Sequence, residues 1–303
     1  MTPGTPRTLA FTPALTLSVA LALASCVAVD SDPRGEESAA SGPPAESVAE
    51  AVWSADGRRL ATTWTLGEHV RLMGVYGPAE GAPLEESTGL PLADGDAGWA
   101  SWSPDGLWVA YAGGGAGSRD IHRARPDGTG AESLASDPAD DFDPAYSPDG
   151  RSVVFVSTRT GGAAKLHVMD ADGADARILA DLGGPVRRPM WSPDGRRLAV
   201  QVKEGGEEVI YLVAADGSGW GRLGTGLLPA WFPDGQRVVY AEHDSIFWRS
   251  PEGGLRQLLL AGGSAPRPSP DGRWLAFVRA DGATASLYLM NLESGTETRI
   301  TPP

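Results

Sequence analysis

Trp102-Ser103-Pro104-Asp105-Gly106 spells out a tight turn in residue types, and the chain carries six versions of it. The others are Trp53-Ser-Ala-Asp-Gly57, Tyr146-Ser-Pro-Asp-Gly150, Trp191-Ser-Pro-Asp-Gly195, Trp231-Phe-Pro-Asp-Gly235 and Pro268-Ser-Pro-Asp-Gly272. Proline at the second turn position presets φ near −65°, and serine and aspartate bond back to nearby backbone. Glycine takes the left-handed conformation that closes a hairpin through a bulge. The aromatic before the turn reads as a plug between adjacent sheets.

Each turn is followed by an alternating apolar run: RRLATTW, LWVAYAG, RSVVFVS, RRLAVQV, QRVVYAE and RWLAFVR. Period-two alternation of Val, Leu, Tyr and Phe predicts a strand. A second turn recurs downstream, at Asp127-Gly128, Asp172-Gly173, Asp216-Gly217, Glu252-Gly253 and Glu293-Ser294-Gly295. An apolar segment precedes each (DIHRAR, KLHVMD, EVIYLV, SIFWRS, SLYLMN) and a shorter one follows. Every repeat therefore reads as four antiparallel strands, and a four-stranded repeat of this length is a propeller blade. The expectation is an all-β, six-bladed β-propeller of four-stranded antiparallel blades over residues 48–303. The first blade is degenerate: Ala55 replaces proline, and the return runs through GPAEGAPLEESTG.

This repeat resembles that of the TolB-type propellers, which also occurs in the propellers of prolyl oligopeptidase-like enzymes. The resemblance covers about residues 48 to 301. It implies the fold and says little about activity, because many functions share it. TolB proper carries an α/β domain before its propeller, whereas only a tether is expected here, which puts a role in the Tol system in question. The peptidases carry a hydrolase domain after theirs, whereas this sequence ends at Pro303 and contains no Gly-x-Ser-x-Gly elbow.

The N-terminus reads as an address. Arg7 is the only charge before an apolar run from Ala14 to Ala24, too short to span a bilayer and suited to a signal-peptide core. The run ends Leu23-Ala24-Ser25-Cys26, which resembles a bacterial lipobox, and Cys26 is the single cysteine of the chain. The resemblance implies a signal peptide over 1–25, a lipidated Cys26, and anchoring by two or three acyl chains. An ordinary signal peptide with a chance cysteine is the other reading. Residues 27–47, rich in Ser, Glu, Pro and Gly, cannot bury enough apolar surface to order themselves and read as a disordered tether. The expected location is the outer-membrane or periplasmic face of the envelope, or the outer face of the cytoplasmic membrane in a single-membrane organism.

Net charge is −14, without the basic stripe that nucleic-acid binding needs. His122 and His167 fall in third strands, in register with Tyr211, Phe247 and Tyr288, and so fill an aromatic slot. His69 reads as a surface residue. His243 stands in a second-to-third strand loop, the one histidine placed for a site. Propeller lyases with a similar repeat hold a metal with several channel histidines, which one loop histidine cannot reproduce. Asp170-Ala-Asp172-Gly-Ala-Asp175 resembles part of an EF-hand loop but lacks its twelfth-position Glu, and as a turn needs no ion. Asp137, Asp140, Asp141 and Asp143 read as a solvated loop entering the third blade, a cation or partner site being the alternative. Corresponding loops carry Trp99, Arg187, Arg188 and Arg267, and the same rim includes Arg119, Arg159, Lys203 and His243.

Trp and Arg are favoured interface residues. The expected function is therefore non-catalytic, with no cofactor and no metal. The propeller binds an envelope protein or a small ligand at its channel face through Trp99, Asp141, Asp143, Arg187, Arg188, Arg267 and His243. A carbohydrate lyase or hydrolase acting in the channel is the rival, and a stalked structural or sensor subunit a third reading.

Overall fold

The computed structural model describes residues 46–66, 69–76, 97–115, 117–282 and 284–300. The proposed signal, Cys26 and most of the tether lie outside these residues, as does the return loop of the first repeat. Among the described residues every regular element is a strand.

The first sheet holds β1 (Glu46–Trp53), β2 (Leu60–Leu66) and β3 (His69–Tyr76). The second holds β4 (Ala97–Trp102), β5 (Val109–Gly113), β6 (Asp120–Ala124) and β7 (Glu132–Ala135). The third holds β8 (Asp141–Tyr146), β9 (Ser152–Ser157), β10 (Lys165–Asp170) and β11 (Arg177–Ala180). The fourth holds β12 (Val186–Trp191), β13 (Arg197–Glu204), β14 (Glu207–Ala214) and β15 (Trp220–Thr225). The fifth holds β16 (Leu227–Trp231), β17 (Val238–Glu242), β18 (Ser245–Ser250) and β19 (Gly253–Ala261), and the sixth β20 (Ser264–Pro268), β21 (Trp274–Asp281), β22 (Thr284–Asn291) and β23 (Glu297–Ile300). All pairings are antiparallel between consecutive strands. Five sheets are thus four-stranded blades, and the first shows three strands among the described residues.

The first strands touch in sequence order, and β20 returns to β1, so they ring a common axis. Second strands are buried through their middles (β5 and β17 entirely), while fourth strands largely face solvent. The motif glycines all have φ between 65° and 71°, the left-handed conformation expected of that position. In five motifs the serine hydroxyl donates to the aspartate carboxylate at 2.5–2.6 Å. Phe232 occupies the serine position of the fifth motif and cannot make this bond.

The aromatic plug does more than fill space. The indole N–H groups of Trp102, Trp191 and Trp231 donate to the carbonyls of Val52, Ala145 and Met190, each the residue before the preceding motif's aromatic. Trp53 does the same to Arg267, which joins the last sheet to the first. In the third strands His122 stacks on Tyr111, His167 lies at 5.5 Å from Phe155, and Tyr288 stacks on Phe277, so the aromatic-slot reading holds for both histidines. Burial holds the His167 imidazole below its usual pKa.

Candidate functional site

Five first strands carry a β-bulge at the same place, three residues before the motif's leading position, and in β1 the irregularity falls at Ala49, next to the corresponding Glu50, which pairs with Thr63. The six residues there are Glu50, Trp99, Asp143, Arg188, Leu228 and Ala265. Five of them have positive φ, from 48° to 58°, and none is glycine. That conformation is unfavourable for a residue with a Cβ and persists only where its surroundings impose it. The bulge turns two inward backbone N–H groups away from the ladder. Arg188 donates its N–H to Asp143 Oδ2 at 2.8 Å, and Leu228 donates to Gln201 Oε1 at 3.0 Å. Proline follows the bulge residue at 144, 189, 229 and 266. It belongs on this inner edge, where its lost donor leaves no ladder bond unmade.

Four charged side chains of this ring meet. Glu50 Oε2 accepts from Arg188 Nη1 at 3.1 Å and from Arg267 Nη2 at 3.3 Å. Asp143 Oδ2 lies 3.9 Å from Arg188 Nε. Arg267 also donates to the Pro266 carbonyl at 3.0 Å. The guanidinium of Arg188 sits 3.1 Å from the centroid of the Trp99 ring. Two cations balance two carboxylates, and no side chain of the four is more than 10% exposed. Burial pushes the Arg267 pKa down, and Glu50 opposes that shift. Two polar atoms stay unsatisfied: Asp143 Oδ1, an acceptor, and Arg267 Nε, a donor. The cavity between these residues measures about 20 Å³, room for about one water. First strands of five sheets line it, which places it on the axis.

The seven residues singled out from the sequence therefore divide. Trp99, Asp143, Arg188 and Arg267 converge. Asp141 and Arg187 do not line the cavity. Asp141 is fully buried against Arg159 at 2.6 Å, and burial raises its pKa against the pull of Ser157 and Arg159. Arg187 lies over the Phe142 ring at 5.2 Å. His243 occupies an exposed two-residue turn with Asp244, both at positive φ, away from the cavity.

Two expectations need correction. Asp141 and Asp143 are not in a solvated loop but in β8, 0% and 4% exposed. Trp99, Arg187, Arg188 and Arg267 likewise belong to first strands, and Arg188 and Arg267 are buried ion-pair partners, not exposed cations. The strands begin earlier than alternation suggests, because the bulge breaks the period of two. Glu50 was missed altogether, since it lies in the degenerate repeat. The signal for it was available: it precedes Trp53 by the same three residues as Trp99, Asp143 and Arg188 precede their own aromatics.

Over 110 residues the chain is 32% identical to the protein TolB homolog of Chlorobium luteolum, a match spanning 36% of this chain and 23% of that protein. It thus matches about a quarter of that relative's length. The crystal structure of TolB from Acinetobacter baumannii superposes with a TM-score of 0.61 at 16% identity, over 84% of this chain and 63% of that one. The fold is a TolB-like β-propeller. The putative TolB from Agrobacterium tumefaciens gives 0.62 at 17% identity, over 86% and 90% of the two chains. An oligogalacturonate lyase in complex with manganese gives 0.58 at 16% identity, over 83% and 76%. Likeness at such identities is one of fold alone. No protein-family model matches the chain. Among the described residues, no three His, Cys, Asp or Glu side chains are grouped to hold a metal ion.

Proposed function

We propose that this chain is a non-catalytic lipoprotein of the bacterial cell envelope. A six-bladed propeller, tethered through lipidated Cys26, binds another envelope protein or a ligand at the channel face around Trp99, Asp143, Arg188 and Arg267. The observation that carries the binding reading is the strained ring itself. It gathers two cations, two carboxylates and an aromatic from separate sheets, and leaves Asp143 Oδ1 and Arg267 Nε for a partner to satisfy. Strain and unmet polar groups cluster where a fold serves recognition. The TolB-like fold and the TolB homolog relative support an exported envelope protein.

Affinity capture from envelope extract with the full chain tests this. The wild type is expected to retain defined envelope proteins, and the folded variants Trp99→Ala and Asp143→Asn to retain at least tenfold less. Equal capture by the variants sinks the reading. So does robust turnover in a screen of lyase and hydrolase substrates, which would favour the enzyme seen in the lyase neighbour. Cys26→Ala is expected to release the protein from membranes; persistent membrane association would overturn the lipid anchor.

A further inference from the structure

A second cavity, about 410 Å³, opens on the outer surface between the fourth and fifth sheets. That volume falls within the ~300–1,000 Å³ range of binding clefts. Arg197 starts β13 just after the motif turn, Ala214 and Gly219 flank the third-to-fourth turn of the same sheet, and Pro251 to Gly253 form that turn in the next. The cavity therefore lies at the motif-turn end of the blades, whereas the channel-face loops lie at the other end.

Its chemistry is defined by an aromatic and a cation. Trp220 is 50% exposed. Its neighbours Gly219 and Gly221 carry no side chain and have open space around them, so no adjacent side chain of the strand competes for this surface. Arg249 is fixed in place: Nε donates to the Gly254 carbonyl at 2.6 Å and Nη1 to the Leu223 carbonyl. Both acceptors are neutral. Arg197 pairs with Glu252 at 2.8 Å and Arg222 with Glu207 at 3.7 Å, but among the described residues no carboxylate forms an ion pair with Arg249. A positioned guanidinium with unneutralised charge beside an open indole is a receptor for a carboxylate joined to an apolar group. On a chain of net charge −14, this local excess of cations selects for an anionic partner.

The surface beyond the cavity decides the size of the partner. The strand leaving the cavity turn, β19, is an outer strand of nine residues, and β15 across the cavity is also an outer strand. On β19 Leu255 is 91% and Leu258 59% exposed. An exposed apolar edge of this length offers backbone groups and side-chain contacts to an added strand. A small acid would fill the cavity and leave that edge bare.

We infer that the groove between β15 and β19 binds an extended acidic peptide segment of a partner protein, with an apolar side chain on Trp220 and a carboxylate on Arg249. This site is separate from the channel face, and its failure would leave that reading untouched. The test is fluorescence anisotropy of the full chain with a dye-labelled Gly-Phe-Asp-Val-Glu-Gly amide. A second probe replaces Asp and Glu by Asn and Gln, and phenylacetate serves as the small-acid competitor. Saturable binding of the acidic peptide is expected, at least tenfold weaker for the Asn/Gln peptide and for Trp220→Ala and Arg249→Met. Ile178→Ala, at an exposed residue of the third sheet, is expected to bind as wild type does. Trp220 is half exposed and its variant is expected to keep the fold, so a loss of stability in Arg249→Met alone does not obscure the result. Absence of saturable binding overturns the inference, as does unchanged affinity in Trp220→Ala. Phenylacetate binding tighter than the peptide would reassign the cavity to a small carboxylic acid.

Discussion

At Ala265 the backbone has φ of 48° and the methyl group is buried, two facts that pull a glycine substitution in opposite directions. Releasing the left-handed strain returns about 1–2 kcal/mol. Losing the buried methyl and stiffness of the unfolded chain costs a similar amount. Ala265→Gly is therefore expected to be near neutral in urea denaturation. Ala276, equally buried in β21 but at no positive φ, has no strain to release. Ala276→Gly should lose about 1.5 kcal/mol or more. Equal losses at both sites would show that the bulge stores no strain. The motif aspartates make a second residue-scale prediction. The Ser103 hydroxyl and the Leu107 N–H hold the Asp105 carboxyl below its ordinary value near 3.8, and Ser147 and Ser192 act likewise on Asp149 and Asp194. A depressed folded pKa contributes stability above the unfolded value, and that contribution is lost as pH falls through the folded one. Unfolding free energy should thus drop below about pH 4, and Ser→Ala changes at these positions should flatten the drop.

Between elements, the repeated bond is the indole latch from one first strand to the one before it. Trp191→Phe keeps most of the ring but leaves the Ala145 carbonyl without its donor. The expected cost is about 1–2 kcal/mol, read as a lower denaturation midpoint. Tyr146 stands at the latch position of the third motif, and Pro268, which carries no side-chain donor, at that of the sixth. Tyr146→Phe should cost less than Trp191→Phe, since no indole latch is lost. The inner bulges explain why alternation alone reads β17 or β21 correctly yet misplaces the start of β8 and β12. An extra residue reverses the faces of everything before it.

Across the whole molecule, closure depends on the first sheet meeting the last. Trp53 donates to the Arg267 carbonyl, Gly57 packs against Pro270, and Glu50 reaches from β1 to cations of β12 and β20. Glu50→Ala would leave Arg188 and Arg267 buried with one carboxylate fewer. Removing one partner of a buried ionic cluster costs about 3–5 kcal/mol. For a domain of this size that corresponds to a fall in Tm of roughly 10 °C. Changing Glu50 and Arg267 together to Met removes one charge of each sign and leaves Arg188 with Asp143. The double variant should therefore recover much of the loss, and thermal melts of the wild type, Glu50→Met, Arg267→Met and the double variant check it. If the double change is as damaging as the sum of the singles, the cluster is not held together by charge.

The chain's own residues determined the repeat, the four-strand count per blade and the aromatic slots, because Ser-Pro-Asp-Gly chemistry and period-two alternation act over a few neighbours. Trp99, Asp143, Arg188 and Arg267 could be singled out as belonging to one end of the repeat. Their burial, their pairing and the part played by Glu50 were decided only in the closed ring. Glu50 and Arg267 lie more than two hundred residues apart, and only radial packing brings them within hydrogen-bond distance. The same holds for the groove beside Trp220: its lining comes from two neighbouring sheets, Arg197 to Leu223 of the fourth and Arg249 to Gly253 of the fifth, and no local pattern encodes how the two meet.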